Sequence, residues 1–308
     1  MSYALHQSFH IRDGWLRKGI QAVTENPKIF SDPSASIRLG LGKNMVEALR
    51  FWLPATGLTV VAKEKGKSNQ NLTSFGQLVR ECDPYLEDDG TLWMLHYNLL
   101  KNPANATTWF WFFNYFGRMS FTKTQFIEEL EQWNIMEGGK DTARSSFERD
   151  FDCFIRTYLP RENSISPEDT QESPLVNLKL LSSTTLNNSK LYSLTRPDPR
   201  VIPPLILFYA IKKWQEEHQP DALQISLRDM LAGQASPGRT FLLGMRLAEA
   251  IRWANDTSPQ INMRFTRTAG LDVLSLPQIE ADKILEMHYF QLVNPENAYR
   301  PFNEIEQR

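Results

Sequence analysis

Apolar residues return at the 3.6-residue period of an α-helix directly after two glycines, Gly40 and Gly42. The positions that form this stripe are Val46, Leu49 and Leu53. Glycine is the residue that a tight turn with positive φ favours, and proline ends a helix. The pattern therefore predicts a turn at 39–42 and a helix from Lys43 to Pro54, the second half of a helix-turn-helix.

Polar residues follow another face of this predicted helix. Lys43, Glu47 and Arg50 share that face, and Asn44 lies beside them at the first turn. In a major groove, asparagine can pair bidentately with adenine, arginine with guanine, and lysine can contact phosphate. The alternative is an ordinary amphipathic helix with a solvated charged face, and this segment alone does not decide between the two.

The next segment has the pattern of a β-hairpin with a basic tip. Residues 58–62 are β-prone, residues 63–71 are polar with one glycine, and residues 72–75 form a second short β-prone run. We interpret them as the β-wing of a winged helix, with a solvated hairpin tip as the alternative. The candidate DNA contacts of this wing are Lys63, Lys65 and Lys67.

Helical spacing and helix caps organise the middle of the chain. The candidate N-caps are Asp88 or Asp89, Thr122 or Thr124, and Asp141 with Thr142. The aromatic run at 106–116 is more typical of the hub of a core than of a base-stacking platform. A glycine break between the last two helices again resembles a helix-turn-helix.

The C-terminal part repeats the wing pattern. Short strands are predicted at 175–178 and 191–194, and a second wing-like strand and turn at 265–271. In the turn Ser236-Pro237-Gly238-Arg239, a helix N-terminus beside Arg239 could seat a phosphate. An ordinary turn with a helix cap is the alternative.

Together these elements predict a mainly α fold with short β wings, built from tandem winged-helix (helix-turn-helix) units. A chain of 308 residues suggests about two domains by length. The pattern divides it further, into an N-terminal winged-helix unit (1–80), an aromatic-rich helical region with a second helix-turn-helix-like unit (81–160), a linker with short strands (161–200) and a C-terminal winged-helix-like unit (201–308).

Composition and charge narrow the class of protein. With 41% hydrophobic residues, 8 Trp and 18 Phe, the chain has ample core material, and its two cysteines match no zinc spacing. We see no signal peptide and no apolar run of the ~20 residues that a membrane span needs, so we expect a cytoplasmic protein without membrane contact. The net charge of −2 excludes a surface coated with basic groups.

The charges are nevertheless unevenly distributed. Between residues 36 and 80 only Glu47 and Glu64 oppose a set of seven bases. Those bases are Arg38, Lys43, Arg50, Lys63, Lys65, Lys67 and Arg80. A local positive patch of this kind can bind phosphates on a neutral protein.

Several motifs spread over nearly the whole chain resemble those of one bacterial protein family. They are Phe9-His10-x-Arg12-x-Gly14-Trp15-Leu16-x-Lys18-Gly19, Leu39-Gly40-x-Gly42-Lys43-Asn44-Met45-Val46, Asp83-Pro84-Tyr85-Leu86-Glu87-Asp88 with Gly90-Thr91-Leu92-Trp93, Ala106-Thr107-Thr108-Trp109, Arg149-Asp150-x-Asp152-Cys153-Phe154-x-Arg156-Thr157-Tyr158, and Ser236-Pro237-Gly238-Arg239. The family comprises uncharacterised-domain proteins from gene clusters for DNA phosphorothioate modification, a system of anti-phage defence. The resemblance implies action on double-stranded DNA, with nicking of one strand for sulfur incorporation. The partners it implies are a cysteine desulfurase, an ATPase and a sulfurtransferase related to phosphosulfate reductases.

Nicking a phosphodiester requires an activated nucleophile and charge stabilisation at the phosphate, by arginines or by a divalent metal such as Mg²⁺. Two motifs combine acids and bases, and their members are the candidate catalytic residues His10, Arg12, Asp13, Arg149, Asp150 and Asp152. No nuclease motif with a known spacing identifies metal ligands, and residues two apart on a helix do not face one ion. The alternative for residues 10–13 is docking of the N-terminus on the core. At the level of the whole protein, the alternatives are a non-catalytic DNA-reading adaptor that recruits the modification enzymes and a transcriptional regulator or scaffold.

Overall fold

The structure, a computed structural model, describes residues 1–64, 67–161, 172–186, 188–268 and 271–297. The chain forms two compact units, Met1–Thr195 and Arg196–Arg308. The finer division into four parts stays a prediction.

The first unit combines helices with two small antiparallel sheets. Its helices are α1 (Trp15–Glu25), α2 (Ala35–Leu39), α3 (Lys43–Ala55), α4 (Ser74–Cys82), α5 (Asp89–Leu100), α6 (Thr107–Asn114), α7 (Lys123–Met136) and α8 (Arg144–Tyr158). Its strands are β1 (Thr59–Glu64), β2 (Lys67–Leu72), β3 (Ser120–Phe121), β4 (Leu181–Leu186) and β5 (Ser189–Leu194). β1 pairs with β2, and the other sheet has the order β3-β5-β4.

The second unit has the same kinds of element. Its helices are α9 (Pro204–His218), α10 (Leu227–Ala232), α11 (Pro237–Thr240), α12 (Leu247–Thr257) and α13 (Ala281–Val293), and its strands are β6 (Gln224–Ser226), β7 (Arg264–Thr268) and β8 (Leu271–Ser275). The sheet order β6-β8-β7 repeats that of the first unit, with the first strand beside the third. The mainly α fold with short antiparallel strands is therefore confirmed. None of the described helices combines the length and the apolar character needed to cross a membrane.

The aromatic run forms the hub of the first unit's core, as predicted. Every residue of α6 is buried. The ring of Phe112 lies 4.5 Å from that of Phe154 on α8 and 5.5 Å from that of Phe126 on α7, measured between centroids. Ring contacts of this kind add to the area that each side chain buries. They fix the position of α8, which carries three of the candidate catalytic residues.

Helix α3 runs to Ala55 and contains Pro54, so the expectation that this proline ends the helix is wrong by one residue. Proline has no N–H to donate to the carbonyl four residues earlier, which is that of Arg50. The Gln70 side chain replaces this donor, with its Nε2 2.8 Å from the Arg50 carbonyl oxygen. Gln70 also accepts the Thr59 hydroxyl at 3.1 Å. The side chain of Gln70 thus connects the hairpin to α3.

The hairpin follows α3 as predicted, but its second strand lies earlier in the chain. β2 consists of residues expected in the polar tip, followed by Leu72 from the expected second strand, and Glu64 faces Lys67 across the turn. The rest of the expected second strand, residues 73–75, instead forms the N-cap and the start of α4. There the Thr73 hydroxyl accepts the Gly76 N–H at 3.0 Å as an N-cap. A Cβ on Gly76 would lie 2.0 Å from the Leu58 carbonyl oxygen, so glycine permits this close packing.

The predicted helix caps are partly confirmed. Asp88 caps α5, and Thr122 caps α7 in a capping box. The N-cap of α8 is Ala143, without a side-chain hydrogen bond, rather than Asp141 or Thr142. The Thr142 hydroxyl instead donates to the Lys140 carbonyl oxygen at 3.0 Å.

One of the two strands predicted around residue 180 is a 3₁₀ helix. The strand predicted at 191–194 lies in β5, but Pro174–Leu178 is helical. Ser173 accepts the Leu175 N–H at 3.2 Å, and a proline at the first helical position has the φ that a helix requires.

Candidate functional site

One glycine, rather than two, builds the turn before α3. Gly40 has φ 61°, and the Leu41 N–H donates to the Ser36 carbonyl oxygen at 3.1 Å, which closes α2 as in a Schellman motif. Gly42 has φ −63°, which any residue adopts. A Cβ at Gly42 would meet only the Met45 sulfur, at 3.8 Å. The second glycine therefore leaves open space in front of α3.

Helix α3 has the buried face and the exposed face that its pattern predicts. Val46, Leu49 and Leu53 are at most 5% exposed. Lys43 and Asn44 are exposed at the first turn. The helix is therefore not sealed inside the fold, and its N-terminal end is accessible to a ligand.

The basic residues around α3 are held only weakly by acids. Arg50 forms an ion pair with Glu47 at 3.5 Å, and Arg38 forms one with Asp32 at 3.4 Å. Exposed pairs of this kind contribute about 0–1 kcal/mol, so a phosphate can compete for the arginines. No side chain in the described part of the chain forms an ion pair with Lys43.

The N-terminus of α3 has the properties of an anion site. Its N-cap, Gly42, offers no side-chain hydrogen bond, and its first turn contains no acidic residue. The first N–H groups of a helix have no partner within the helix, and the helix dipole favours negative charge there. Lys43 adds a formal positive charge at the same end.

Lys18 is a basic residue of this region that the sequence did not single out for DNA contact. Its Nζ donates to the Leu39 carbonyl oxygen at 2.9 Å, at the end of α2. It is placed there because α1 packs closely on α3: a Cβ on Gly19 would lie 2.8 Å from Leu53 Cδ1. The pair Lys18-Gly19 in the first family motif was the available signal.

The structure describes the lysines of the predicted wing only in part. Lys63 lies in β1 and Lys67 in β2, where the two strands approach each other. Their side chains and the whole of Lys65 lie outside the described residues. Their contact with DNA stays a prediction.

Residues 10–13 pack against neighbouring rings. The Arg12 guanidinium carbon lies 5.4 Å from the ring centroids of both Phe9 and Trp15, which are cation–π distances. The exposed Asp13 donates its backbone N–H to the Glu172 carbonyl oxygen at 2.9 Å, and His10 is half-buried. These contacts favour the alternative in which the cluster docks the N-terminal segment, although its catalytic role is untested.

Asp150 is the centre of a buried polar network. It is 2% exposed and accepts the Ala4 N–H at 2.6 Å and the Thr108 hydroxyl at 2.5 Å. His6 Nε2 lies 2.8 Å from the same carboxylate. The Ser8 N–H donates to His6 Nδ1 at 3.1 Å, so the proton of the neutral ring is on Nε2 and points to Asp150. The histidine beside this acid is therefore His6 and not His10. No spacing in the sequence indicated the contact between His6 and Asp150.

Arg149 and Asp152 lie on the exposed side of α8. Arg149 donates to the Ser145 carbonyl oxygen at 3.2 Å, and Asp152 pairs with Lys123 at 2.7 Å. Asp150 and Asp152 thus face opposite sides of the helix, as the two-residue spacing predicted. Arg149, Asp150 and Asp152 thus have different partners, and the hydrogen bonds described for α8 do not join them in one cluster.

The side chains in the described ranges offer no clustered set of ligands for a divalent metal such as Mg²⁺. They contain no group of three or more His, Cys, Asp or Glu residues that could hold a metal ion. The acidic run after α4 is engaged in local structure. Asp83 accepts the N–H groups of Glu87 and Asp88 at 2.9 and 3.2 Å, and Asp88 caps α5.

Close packing explains the glycine in the turn that contains Arg239. A Cβ on Gly238 would lie 2.8 Å from the Met230 carbonyl oxygen and 2.9 Å from Leu231 Cα. Arg239 is half-buried in the four-residue helix α11. The close approach is thus to the protein's own backbone, and the role of Arg239 in binding phosphate stays a prediction.

Comparison with protein families matches residues 3–289 to the family described as a protein of unknown function (DUF4007). The chain belongs to this family. Comparison with curated proteins gives no match.

Two solved structures share the fold of almost the whole chain. One is described as magnesium ion-bound SspB, with a TM-score of 0.84, and the other as SspB, with a TM-score of 0.82. Each is 25% identical and covers 96% of this chain and 90% of its own. The resemblance that the motifs indicated is therefore confirmed for the family and the fold.

Proposed function

We propose that this protein is the DNA-binding component of a bacterial DNA phosphorothioate modification system. The observation that carries the proposal is the exposed N-terminal end of α3, where Lys43 and Asn44 flank uncapped N–H groups. The similarity to SspB supports the assignment of the protein to such a modification system. The protein then acts in the cytoplasm on double-stranded DNA, beside a desulfurase, an ATPase and a sulfurtransferase.

In this proposal α3 enters the major groove with its N-terminal end. The uncapped N–H groups and Lys43 bind backbone phosphates, which sets the orientation of the helix. Asn44 reads a base edge, adenine being the base whose groups match its amide. Lys18 and Arg50 border the same helix and add positive potential.

We further propose that the chain contains tandem winged-helix units. A helix, a turn, a second helix and a hairpin follow one another from α2 to β2. In β3-β5-β4 and β6-β8-β7, a strand that precedes helices pairs with the last strand of the hairpin that follows them. This order is typical of winged helices. The sequence of helix, turn, helix and hairpin from α2 to β2 supports β1–β2, with Lys63, Lys65 and Lys67, as a wing along the DNA backbone.

Strand nicking is the extension of the proposal that the family resemblance suggests. The alternative is a non-catalytic adaptor that reads DNA and recruits the modification enzymes. The separate partners of Arg149, Asp150 and Asp152 do not favour one catalytic cluster on α8. We therefore place DNA binding first and nicking second.

Binding is tested with fluorescently labelled duplexes of varied sequence. We expect Asn44→Ala to lose about 1–3 kcal/mol for its preferred duplex and to flatten the differences between sequences. Lys43→Ala should weaken all duplexes alike and lower the salt slope by about 1. Lys283→Ala on α13 removes the same charge elsewhere and should change neither quantity. Unchanged binding in both α3 variants would contradict the proposal.

Nicking is tested with supercoiled plasmid in the presence of Mg²⁺ or Mn²⁺. A nickase converts it to relaxed circles, whereas an adaptor binds the plasmid without changing its topology. Heat-denatured protein and Asn44→Ala serve as controls. Binding without relaxed circles above the denatured control would leave the adaptor as the function.

A further inference from the structure

A groove of about 260 Å³ separates α1 from the C-terminal end of α4. Its walls include Arg17, Ile20 and Gln21 of α1, and Arg80 and Pro84 on the α4 side. None of these residues has a part in the DNA contacts proposed above. We call it the Arg17–Arg80 groove.

A rigid loop holds an aromatic side chain at the edge of this groove. Leu86 has φ 59° and is buried, although a bulky residue rarely adopts a positive φ. The buried Asp83 carboxylate accepts two N–H groups of the same loop, those of Glu87 and Asp88. Strain of this kind persists where the surrounding structure enforces it and is found at ligand sites. Tyr85 lies between Asp83 and Leu86 in the chain, and its side chain is 58% exposed.

Arg17 and Tyr85 form a cation–π pair. The Arg17 guanidinium carbon lies 4.0 Å from the centroid of the Tyr85 ring. Arg80, from the other wall, forms an ion pair with its neighbour Glu81 at 2.6 Å, and 40% of its side chain is exposed. The groove therefore offers an aromatic plane, apolar walls and two guanidinium groups.

We propose that the Arg17–Arg80 groove binds one unpaired nucleotide of DNA, and this proposal rests on the proposed function. The base stacks on the plane of Tyr85 and Arg17, and the phosphate contacts the arginines. Proteins bind single strands with this combination of aromatic platforms and positive grooves. Arginine planes also stack on unpaired bases.

Size and charge favour this ligand over a larger cofactor. The volume lies just below the range of about 300–1,000 Å³ that drug-sized ligands occupy. Gln21 can offer polar groups to a base edge, although its Nε2 now donates to Glu25 at 3.2 Å. Glu25 lies two helical turns from Arg17 and repels phosphate, which leaves the phosphate at the Arg17 end.

The groove is next to the proposed duplex contact along the chain. Arg17 lines the groove, and Lys18, the following residue, donates to the Leu39 carbonyl oxygen before α3. A strand that leaves a duplex bound at α3 would thus meet the Arg17–Tyr85 pair on the same helix turn. The motif around Tyr85, which the duplex contact does not use, acquires a function in this way.

The test compares an intact duplex with the same duplex carrying a short single-stranded gap. We expect the full-length protein to bind the gapped DNA more tightly, and Tyr85→Ala to lose this preference by at least about fivefold. Tyr85→Phe keeps the stacking plane and should keep the preference. Tyr115→Ala removes a similarly exposed tyrosine (49%) and is the matched control. A 5-iodouracil base in the gap should crosslink to the peptide that contains Tyr85.

The outcomes separate the two proposals. Equal binding of gapped and intact DNA, or an unchanged preference in Tyr85→Ala, would overturn the groove proposal and leave the α3 contact standing. Binding of gapped DNA alone, dependent on Tyr85, would support the groove and overturn duplex docking at α3. No binding of either DNA would overturn both.

Discussion

The two glycines before α3 differ in what the fold requires of them. Gly40 is needed for its positive φ, whereas Gly42 has an ordinary conformation and room for a side chain. The N-cap position normally favours aspartate or asparagine, which bond to the first N–H groups. A glycine there gives up that stabilisation and keeps the N–H groups accessible.

This difference yields a prediction in which stability and binding change in opposite directions. Gly42→Asp should raise the free energy of unfolding by about 0.3–1 kcal/mol, because it caps α3 and complements its dipole. It should also weaken DNA binding, because its charge occupies the proposed phosphate site. Urea unfolding and duplex titration measure the two effects.

Gly42→Asn is the matched control for this prediction. It provides a similar cap without the charge. We expect a stability gain close to that of Gly42→Asp and a smaller loss of affinity. Equal DNA affinities of Gly42→Asp and wild type would show that no phosphate docks at this helix end.

Asp150 and Asp152 provide a second contrast between single residues. Asp150→Ala leaves the Ala4 N–H, the Thr108 hydroxyl and the His6 ring without their acceptor in the core. We expect a loss of about 3–5 kcal/mol in the free energy of unfolding. Asp152→Ala breaks only the exposed pair with Lys123 and should cost at most about 1 kcal/mol.

Urea unfolding of both variants tests this, together with the plasmid assay. We expect any loss of function in Asp150→Ala to accompany loss of folded protein. If Asp150→Ala is well folded and binds DNA but no longer nicks it, Asp150 is a catalytic residue and not only a residue that stabilises the fold.

The exposed residues of the site could be predicted, and the buried network could not. Lys43 and Asn44 are exposed because they lie off the apolar stripe of their own helix, which is a local property. The partner of Asp150 depends on the path of the first eight residues across the core. That path is a tertiary property, so the sequence could not distinguish His6 from His10.

At the scale of elements, Pro54 and Gln70 couple α3 to the hairpin. The proline removes one hydrogen bond from the helix, and the Gln70 amide restores it from β2. Because Gln70 is 3% exposed, water does not replace its amide without a local rearrangement. This side chain thus links the proposed wing to α3.

We predict a measurable coupling between these two residues. Gln70→Leu should lower the free energy of unfolding by about 1–3 kcal/mol, because the Arg50 carbonyl loses its donor. Adding Pro54→Ala restores a backbone N–H and should recover part of this loss. A double-mutant cycle by urea unfolding measures the coupling.

The exposed neighbour Asn71 supplies the control for this cycle. Asn71→Leu places the same side chain on β2 with its face toward solvent, and it should change stability by less than about 0.5 kcal/mol. Additive effects of Gln70→Leu and Pro54→Ala would contradict the coupling.

The same region shows where prediction of elements from sequence is limited. The apolar stripe predicts α3 correctly, and the prediction that a hairpin follows this helix is also correct. Its second strand was misplaced because β2 is polar, and its stability comes from pairing with β1 and from Gln70. The segment at 72–75 has β-prone residues, but the Thr73 cap and the close approach of Gly76 to Leu58 favour a helix.

At the scale of the whole molecule, the proposed DNA binding depends on local charge and not on net charge. The chain carries a formal charge of −2, yet Lys43 lies in the first turn of α3, Arg50 about two turns further along the same helix, and Arg38 in α2 just before it. The sheet order is the same in the two units, whereas the sequence indicated only the repeated wing pattern and not which strands pair. Topology is specified by which strands pair, and short strands carry little sequence signal for their partners.

Buried tyrosines in both units determine how the molecule responds to alkaline pH. Burial raises the pKa of Tyr158, Tyr3 and Tyr209 above the usual 10.0, and the charge of Asp150 raises that of Tyr3 further. Because the folded pKa values are higher than the unfolded ones, their stabilising effect is complete below pH 10 and is lost as the pH rises. Each fully buried tyrosine such as Tyr158 should reduce stability by up to about 1.4 kcal/mol per pH unit there.

We therefore expect the tyrosinate absorbance of these residues to rise only together with alkaline unfolding. Tyr158→Phe removes one such group, so its stability should decline less steeply above pH 10, although it loses the hydrogen bond to His96 Nδ1 at 2.8 Å. Urea unfolding at a series of alkaline pH values measures the slope. An unchanged slope in Tyr158→Phe would mean that this phenol ionises inside the folded core, which its burial opposes.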